Sequence, residues 1–198
     1  MGIGFCEAAT RRAYRPPVAS KCAWLPCSMI RPLSITTIRS ALRTHADAII
    51  ALSFGTGGSG TANQALAEVA AQYSRSRHLP VICQKEVAEY LRKDDKTGQV
   101  LTIPQAPESN IDTYDALLSA KNEFCDSRGW NDIILVAHPD HVARAATAAE
   151  RLGFRVTAAK VGEVPYDRNS AQWRARNKYQ FAIWERIATL YYRATGRI

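Results

Sequence analysis

The sequence predicts an α/β fold: a Rossmann-like three-layer sandwich around a five-stranded parallel sheet in the order 3-2-1-4-5. From Ala46 onward, short apolar runs alternate with helical patterns, which is the signature of βαβ units. The runs are continuously apolar rather than alternating, as in Ala48–Leu52 and Ile133–Ala137, and such strands are covered on both faces. Right-handed crossovers then leave few topologies, and 3-2-1-4-5 is the simplest of them.

Each element follows from local chemistry. Ala48–Leu52 reads as the first strand, stopped by the glycines after it. Residues 61–76 read as a helix with Ala65, Leu66, Val69, Ala70 and Tyr73 on one stripe. Leu79–Cys83 is the second strand, and Glu86–Lys93 a helix facing inward through Val87, Tyr90 and Leu91. Gln99–Ile103 is the third strand. Asp112–Ser127 is a helix with Leu117, Ala120 and Phe124 on its apolar face and Gly129 as its C-terminal cap. Asp132–Ala137 is the fourth strand. Pro139 suits a first turn and opens an alanine-rich helix ending near Gly153. Phe154–Val161 is the fifth strand, and Ser170–Ala194 a long final helix.

Residues 1–45 have no such period, and Pro16, Pro17, Pro26 and Pro32 interrupt any helix there. The domain is therefore placed at 46–198, behind an irregular basic segment in which Thr36–Leu42 could form a short helix. Two readings of that segment stay open: a natural start at Met29, or an Arg- and Ser/Thr-rich transit peptide. The 198 residues suffice for one domain with a real core. The longest apolar runs are five residues, against about 20 for a bilayer span, so no transmembrane helix is expected.

The formal charge of +8 is unevenly spread. Residues 1–45 carry +6, residues 46–167 carry −4, and residues 168–198 carry +6, with Glu185 the single acid of the last segment. A mildly acidic core argues against nucleic-acid binding despite the basic total. The five cysteines form no CxxC pair and no zinc pattern, so reduced thiols and a cytoplasmic location are expected. Cys83, at the end of the second strand, reads as a small buried group, with a nucleophile as the alternative.

In the order 3-2-1-4-5 the winding reverses between the first and fourth strands, and ligands bind at such switch points. The loops after residues 54 and 137 should therefore face one another. The first is Gly55-Thr56-Gly57-Gly58-Ser59-Gly60, a strand-to-helix turn whose amides suit an anion. It is neither a Walker A loop nor the strict dinucleotide fingerprint, and a flexible turn is the alternative. The second loop carries His138, Asp140, His141 and Arg144. His141 and Arg144 share a helix face, and the pair offers acid/base chemistry beside an anion-binding fork. His138, His141 and Asp140 could otherwise hold a metal, though no metal site is expected. The segment Glu108–Asp115 opens a helix; Asp112 or Ser109 caps it, or Asp112 and Asp115 line the crevice and orient His141. A Ser109–His141–Asp112 triad lacks any nucleophile elbow. The final helix alternates Trp173, Tyr179, Phe181, Trp184, Ile187, Leu190 and Tyr191 with Arg and Lys, which suits packing, self-association or a membrane surface.

Residues 46–198 resemble the bacterial YdcF-like proteins, a family of unknown function that includes SanA- and ElyC-type envelope factors. The likeness lies in Ile49–Gly58, in Asn110-x-Asp112-Thr113-Tyr114-Asp115, in Val136-Ala137-His138-x-x-His141-x-x-Arg144-Ala145 and in Glu185–Gly196. Cys83-Gln84-Lys85-Glu86 stands where the family has Ser-Gly-Gly, and the arginine common in the first helix is missing near Asn63 and Gln64. The resemblance implies a Rossmann-like domain with a nucleotide-like, phosphorylated or adenosylmethionine ligand. Ligand contacts are then expected from Gly55, Thr56, Gly57, Gly58, Ser59, Glu86, Thr113, Asp115, His138 and Arg144, with His141 and Asp112 as catalytic candidates. The resemblance brings no settled reaction; if the protein is an enzyme, group transfer or hydrolysis of a phosphorylated or nucleotide substrate is the class to test. A non-catalytic regulatory protein using its basic aromatic C-terminal helix is the alternative.

Overall fold

A parallel sheet forms because its central strands are apolar apart from Asp132 at the start of one of them, and such strands need cover on both faces. The computed structural model describes residues 45–93, 97–104 and 112–198. The segment 1–45, with its Met29 start and its Thr36–Leu42 helix, lies outside the described residues apart from His45, and so do Ser109 and Asn110. The strands are β1 (Ala48–Ala51), β2 (Val81–Cys83), β3 (Val100–Thr102), β4 (Asp132–Val136) and β5 (Arg155–Ala158). The helices are α1 (Thr61–Arg77), α2 (Lys85–Leu91), α3 (Thr113–Ala120), α4 (Val142–Arg151) and α5 (Lys178–Ala194). All neighbouring strands are parallel and the order is β3-β2-β1-β4-β5, as the apolar runs predict.

Register sets which residues face which layer. Ile50 lies beside Ile82 and Leu135, and all three point into one core with Leu117, Ala145 and Ala148 of α3 and α4. Ile49, Ala51, Val81 and Val136 point the other way, onto Leu66, Val87 and Leu91 of α1 and α2. Helix α5 gives Phe181 to the second core and Tyr192 to the first, so it bridges both layers.

Most elements differ from the sequence expectation by a residue or two at an end, and a few by more. Helix α4 starts at Val142 rather than Pro139, because the His141 and Val142 amides both donate to the His138 carbonyl in a turn. Strand β5 is shorter than 154–161: its pairing with β4 runs from Asp132–Arg155 to Leu135–Ala158 and closes with the Ala159 amide on the Leu135 carbonyl. Helix α5 starts at Lys178 rather than Ser170. The Asn177 side chain caps it by accepting from the Gln180 amide at 2.9 Å, and Trp173–Ala175 forms a separate 3-10 turn. The α3 pattern runs on through a π-helical turn, Lys121–Cys125, and a 3-10 turn to Gly129, which closes it at φ +66°.

Candidate functional site

The carboxyl ends of β1 and β4 do meet. Phe54, just past β1, stacks on His138, just past β4, with ring centroids 3.8 Å apart and 16° between planes. Beside this contact opens a crevice of about 460 Å³, roofed by the inner face of α5. That volume suits a small organic ligand. Gly55, Thr56, Glu86, Asp112, Thr113, His141 and Arg144 all line it.

The rest of the glycine loop is occupied from within. Asp167 Oδ2 accepts from the Ser59 amide at 2.6 Å, the Ser59 hydroxyl at 2.9 Å and the Gly60 amide at 3.2 Å. The chain thus places its own carboxylate at the N-terminus of α1, where the helix dipole favours negative charge. These bonds, with the Asn169 amide first among them, hold the Asp167 carboxyl below its ordinary range. Glycine is required in this loop. A Cβ on Gly58, at φ +69°, would sit 2.4 Å from Asp167 Oδ2. Gly57, Gly58 and Ser59 lie outside the crevice lining, and the Ser59 and Gly60 amides are already taken.

His138 is a satisfied core residue. Its Nε2–H donates to the Val164 carbonyl at 3.3 Å, and its Nδ1 accepts from the Asp140 amide at 3.2 Å. Burial pushes the ring down from 6.5 to about 4, against the nearby Asp140 charge, so it is neutral at physiological pH. Asp140 itself accepts from the Tyr166 hydroxyl at 2.5 Å. Among the described residues no group of three or more His, Cys, Asp or Glu is gathered as a metal site.

His141 is different. Its Nε2 lies 3.1 Å from Thr113 Oγ1, and its Nδ1 lies 3.3 Å from Arg144 Nη2 and 3.5 Å from Glu185 Oε2. Arg144 grips Glu185 through both arms, Nε to Oε1 at 2.8 Å and Nη2 to Oε2 at 3.1 Å. Burial lowers the His141 pKa, partly opposed by Glu185. Burial acts to raise the Glu185 carboxyl, but bonds from His141 and Arg144 outweigh it and the net direction is down. The residue behind His141 is therefore Glu185, not Asp112 or Asp115. Asp112 caps α3 by accepting from the Asp115 amide at 2.9 Å, and it pairs with Arg197. Asp115 is exposed, 3.9 Å from Arg197, with its carboxyl raised chiefly by desolvation and by Asp112.

Two further charged groups border the crevice. Arg174, in the Trp173–Ala175 turn, lies over the Trp184 ring at 5.1 Å and has no carboxylate partner among the described residues. Desolvation and then Arg144 lower its pKa. Glu86 keeps one buried carboxylate oxygen without a hydrogen-bond partner. Gln84, beside it, accepts from the Ser53 amide at 2.8 Å and so fixes the end of β1. Cys83 is fully buried and its thiol is pushed up to about 12, chiefly by desolvation, so it is no nucleophile at neutral pH.

Sequence reasoning passes over Glu185 and Arg174. Glu185 did leave a trace: it is the one acid of a basic segment, and it sits within the buried 181–188–192 stripe of α5. Arg174 left none, since its lack of a carboxylate partner among the described residues depends on Arg144 taking Glu185 in the fold. Set against protein-family models, curated proteins and solved structures, the chain matches none of them.

Proposed function

We propose that the crevice binds a small nucleotide-like molecule carrying an anionic group. The observation that carries this reading is Arg174, a cation without a carboxylate partner among the described residues, at a concave, aromatic-lined site. Arg144 is neutralised by Glu185 and two of the glycine-loop amides by Asp167, so the ligand's anion belongs on Arg174. Phe181, Trp184, Tyr191 and Tyr192 offer faces for an aromatic base. The unpartnered Glu86 oxygen would accept from a hydroxyl or an ammonium group. Adenosylmethionine has a carboxylate, an ammonium, ribose hydroxyls and a base, and it is the first compound to try. Membership of the YdcF-like family is proposed with it, supported by His141 and Arg144 of the resembling motif lining the crevice.

A thermal-shift screen of the whole chain tests this against adenosylmethionine, nucleotides, sugar phosphates and divalent cations. A ligand at about 100 times its Kd should stabilise the fold by roughly 2.7 kcal/mol. The shift should vanish in Arg174→Ala and persist in Arg168→Ala. A shift indifferent to Arg174 would place the ligand elsewhere.

A second reading concerns the outer face of α5. Tyr179, Ile183, Ile187 and Leu190 are more than half exposed, at 83%, 61%, 53% and 65%, and form one stripe. The exposed charges on α5 are all cations: Lys178, Arg186 and Arg193. An apolar stripe with a cationic rim suits an anionic lipid surface. Salt-sensitive sedimentation with anionic vesicles, lost in Ile183→Glu, is the expected result. Concentration-dependent self-association lost in the same variant would instead assign the face to a second copy. No helix among the described residues is long and apolar enough to cross a membrane.

A further inference from the structure

Thr113 is the first residue of α3, where its hydroxyl has no local task. The cap is already supplied by Asp112, whose side chain takes the Asp115 amide. The Thr113 hydroxyl instead reaches across to α4 and meets His141 Nε2 at 3.1 Å. On the far side of the ring Nδ1 faces two groups, Arg144 Nη2 at 3.3 Å and Glu185 Oε2 at 3.5 Å, and Arg144 holds Glu185 there with a two-armed grip. Hydroxyl, imidazole and carboxylate thus fall in line, and the hydroxyl end opens on the crevice. A base within reach of a hydroxyl, oriented by a third group, is the arrangement that activates an alcohol as nucleophile.

We propose that Thr113 is a nucleophile, with His141 as its general base and Glu185 as the positioning residue, and that it accepts a phosphoryl group from a nucleotide-like phosphate ester. This rests on the ligand reading above and names its chemistry. Arg144 Nη2 can only donate to Nδ1, so the ring serves as base once its proton sits on Nδ1, toward Glu185 Oε2 at 3.5 Å, which leaves the Nε2 lone pair toward Thr113. Thr113 Oγ1 attacks phosphorus, its proton passes to His141 Nε2, and the bond from phosphorus to the leaving alcohol oxygen breaks. That oxygen takes the proton from Nε2. Water then reverses the sequence. Its proton goes to Nε2, its oxygen bonds to phosphorus, the Thr113 ester bond breaks, and Oγ1 recovers the proton. Arg174 would hold the non-bridging oxygens beside this line; its charge already lowers the His141 pKa.

A fluorophosphonate is the probe, because attack by Oγ1 expels fluoride and leaves a stable adduct. Peptide mass analysis should find the adduct on residue 113 in the wild type and in Thr113→Ser. It should be absent in Thr113→Val, and labelling should slow about 100-fold in His141→Gln. Thr113→Val is nearly isosteric, and its retained ligand shift would show an intact crevice. The Glu185 role is read from the pH profile. His141 faces Glu185 from α5, Arg144 on its own helix, Arg174 from the turn before α5 and His138 at the end of β4. Of these only Glu185 raises its pKa, so Glu185→Gln should move the labelling midpoint to lower pH. No adduct at residue 113 in either the wild type or Thr113→Ser overturns the proposal. If the Arg174-dependent ligand shift survives that result, the binding reading stands alone; if it is absent too, both fall.

Discussion

The glycine loop and the inner face of α5 both border one crevice, and they exchange the roles their sequences advertise. Gly55–Gly60 has the look of an anion cradle, yet Asp167, more than 100 residues away in the chain, fills it. Helix α5 has the look of an aromatic packing element, yet it carries Glu185, and the turn before it carries Arg174, which has no carboxylate partner among the described residues. A local pattern reports what backbone can be built. Which groups stay free for a ligand depends on long-range pairing, and that is decided by the fold.

The sharpest way to break this comparison is to remove Glu185. Its side chain is only 17% exposed and its partner Arg144 only 7%. Glu185→Ala would leave a buried guanidinium without a counter-charge. The expected cost is about 3 to 5 kcal/mol in denaturant unfolding, while Arg144→Met with Glu185→Leu together should recover much of it. A loss under about 1 kcal/mol would mean that the pair is a surface contact and α5 a packing element after all.

Acid provides the next largest effect. Where the folded pKa of a histidine lies below its unfolded value, the unfolded state binds the extra proton, so stability falls as pH drops between the two. For His138 that window runs from 6.5 down to about 4. The loss should reach about 3 kcal/mol at the acid end. The lowered values of His141 and Glu185 push in the same direction. His138→Phe keeps the stack on Phe54 and should flatten the curve across this window. An unchanged slope would show that His138 is not the group titrating.

The fold was legible because its signals are local. Continuous apolar strands, glycine breaks and helix stripes name the elements, and the crossover rule orders them. The boundaries that moved, at Val142, Lys178 and Ala158, are set by a carbonyl shared between two amides, by an Asn cap and by the last rung of the pairing with β4. The site was legible where one helix carries it, as with His141 and Arg144. Their partner lies 41 residues beyond Arg144, and no spacing rule connects the two.

The loop is tested more gently. Asp167→Ala should leave the Ser59 and Gly60 amides unpaired and lower the unfolding temperature by less than Glu185→Ala does. The freed amides should then respond to inorganic phosphate, which ought to stabilise Asp167→Ala more than the wild type. A wild type that responds equally would mean that an external anion displaces Asp167 readily, and the loop would again rank as a ligand site.

Arg174→Ala should have the smallest effect on stability and the most telling one on function. The side chain makes one cation–π contact, with Trp184, and no ion pair among the described residues. Its loss should cost under about 1 kcal/mol. Removing it also relieves Arg144 of a like charge, which offsets part of that cost. Arg144→Ala is the opposite case: it strands Glu185, destabilises the fold and weakens ligand binding only through that damage. The two arginines line one crevice, so proximity cannot separate them, but pairing can. If Arg174→Ala folds normally and loses the ligand shift while Arg144→Ala merely unfolds earlier, the free cation is the ligand's partner and the paired one belongs to the scaffold.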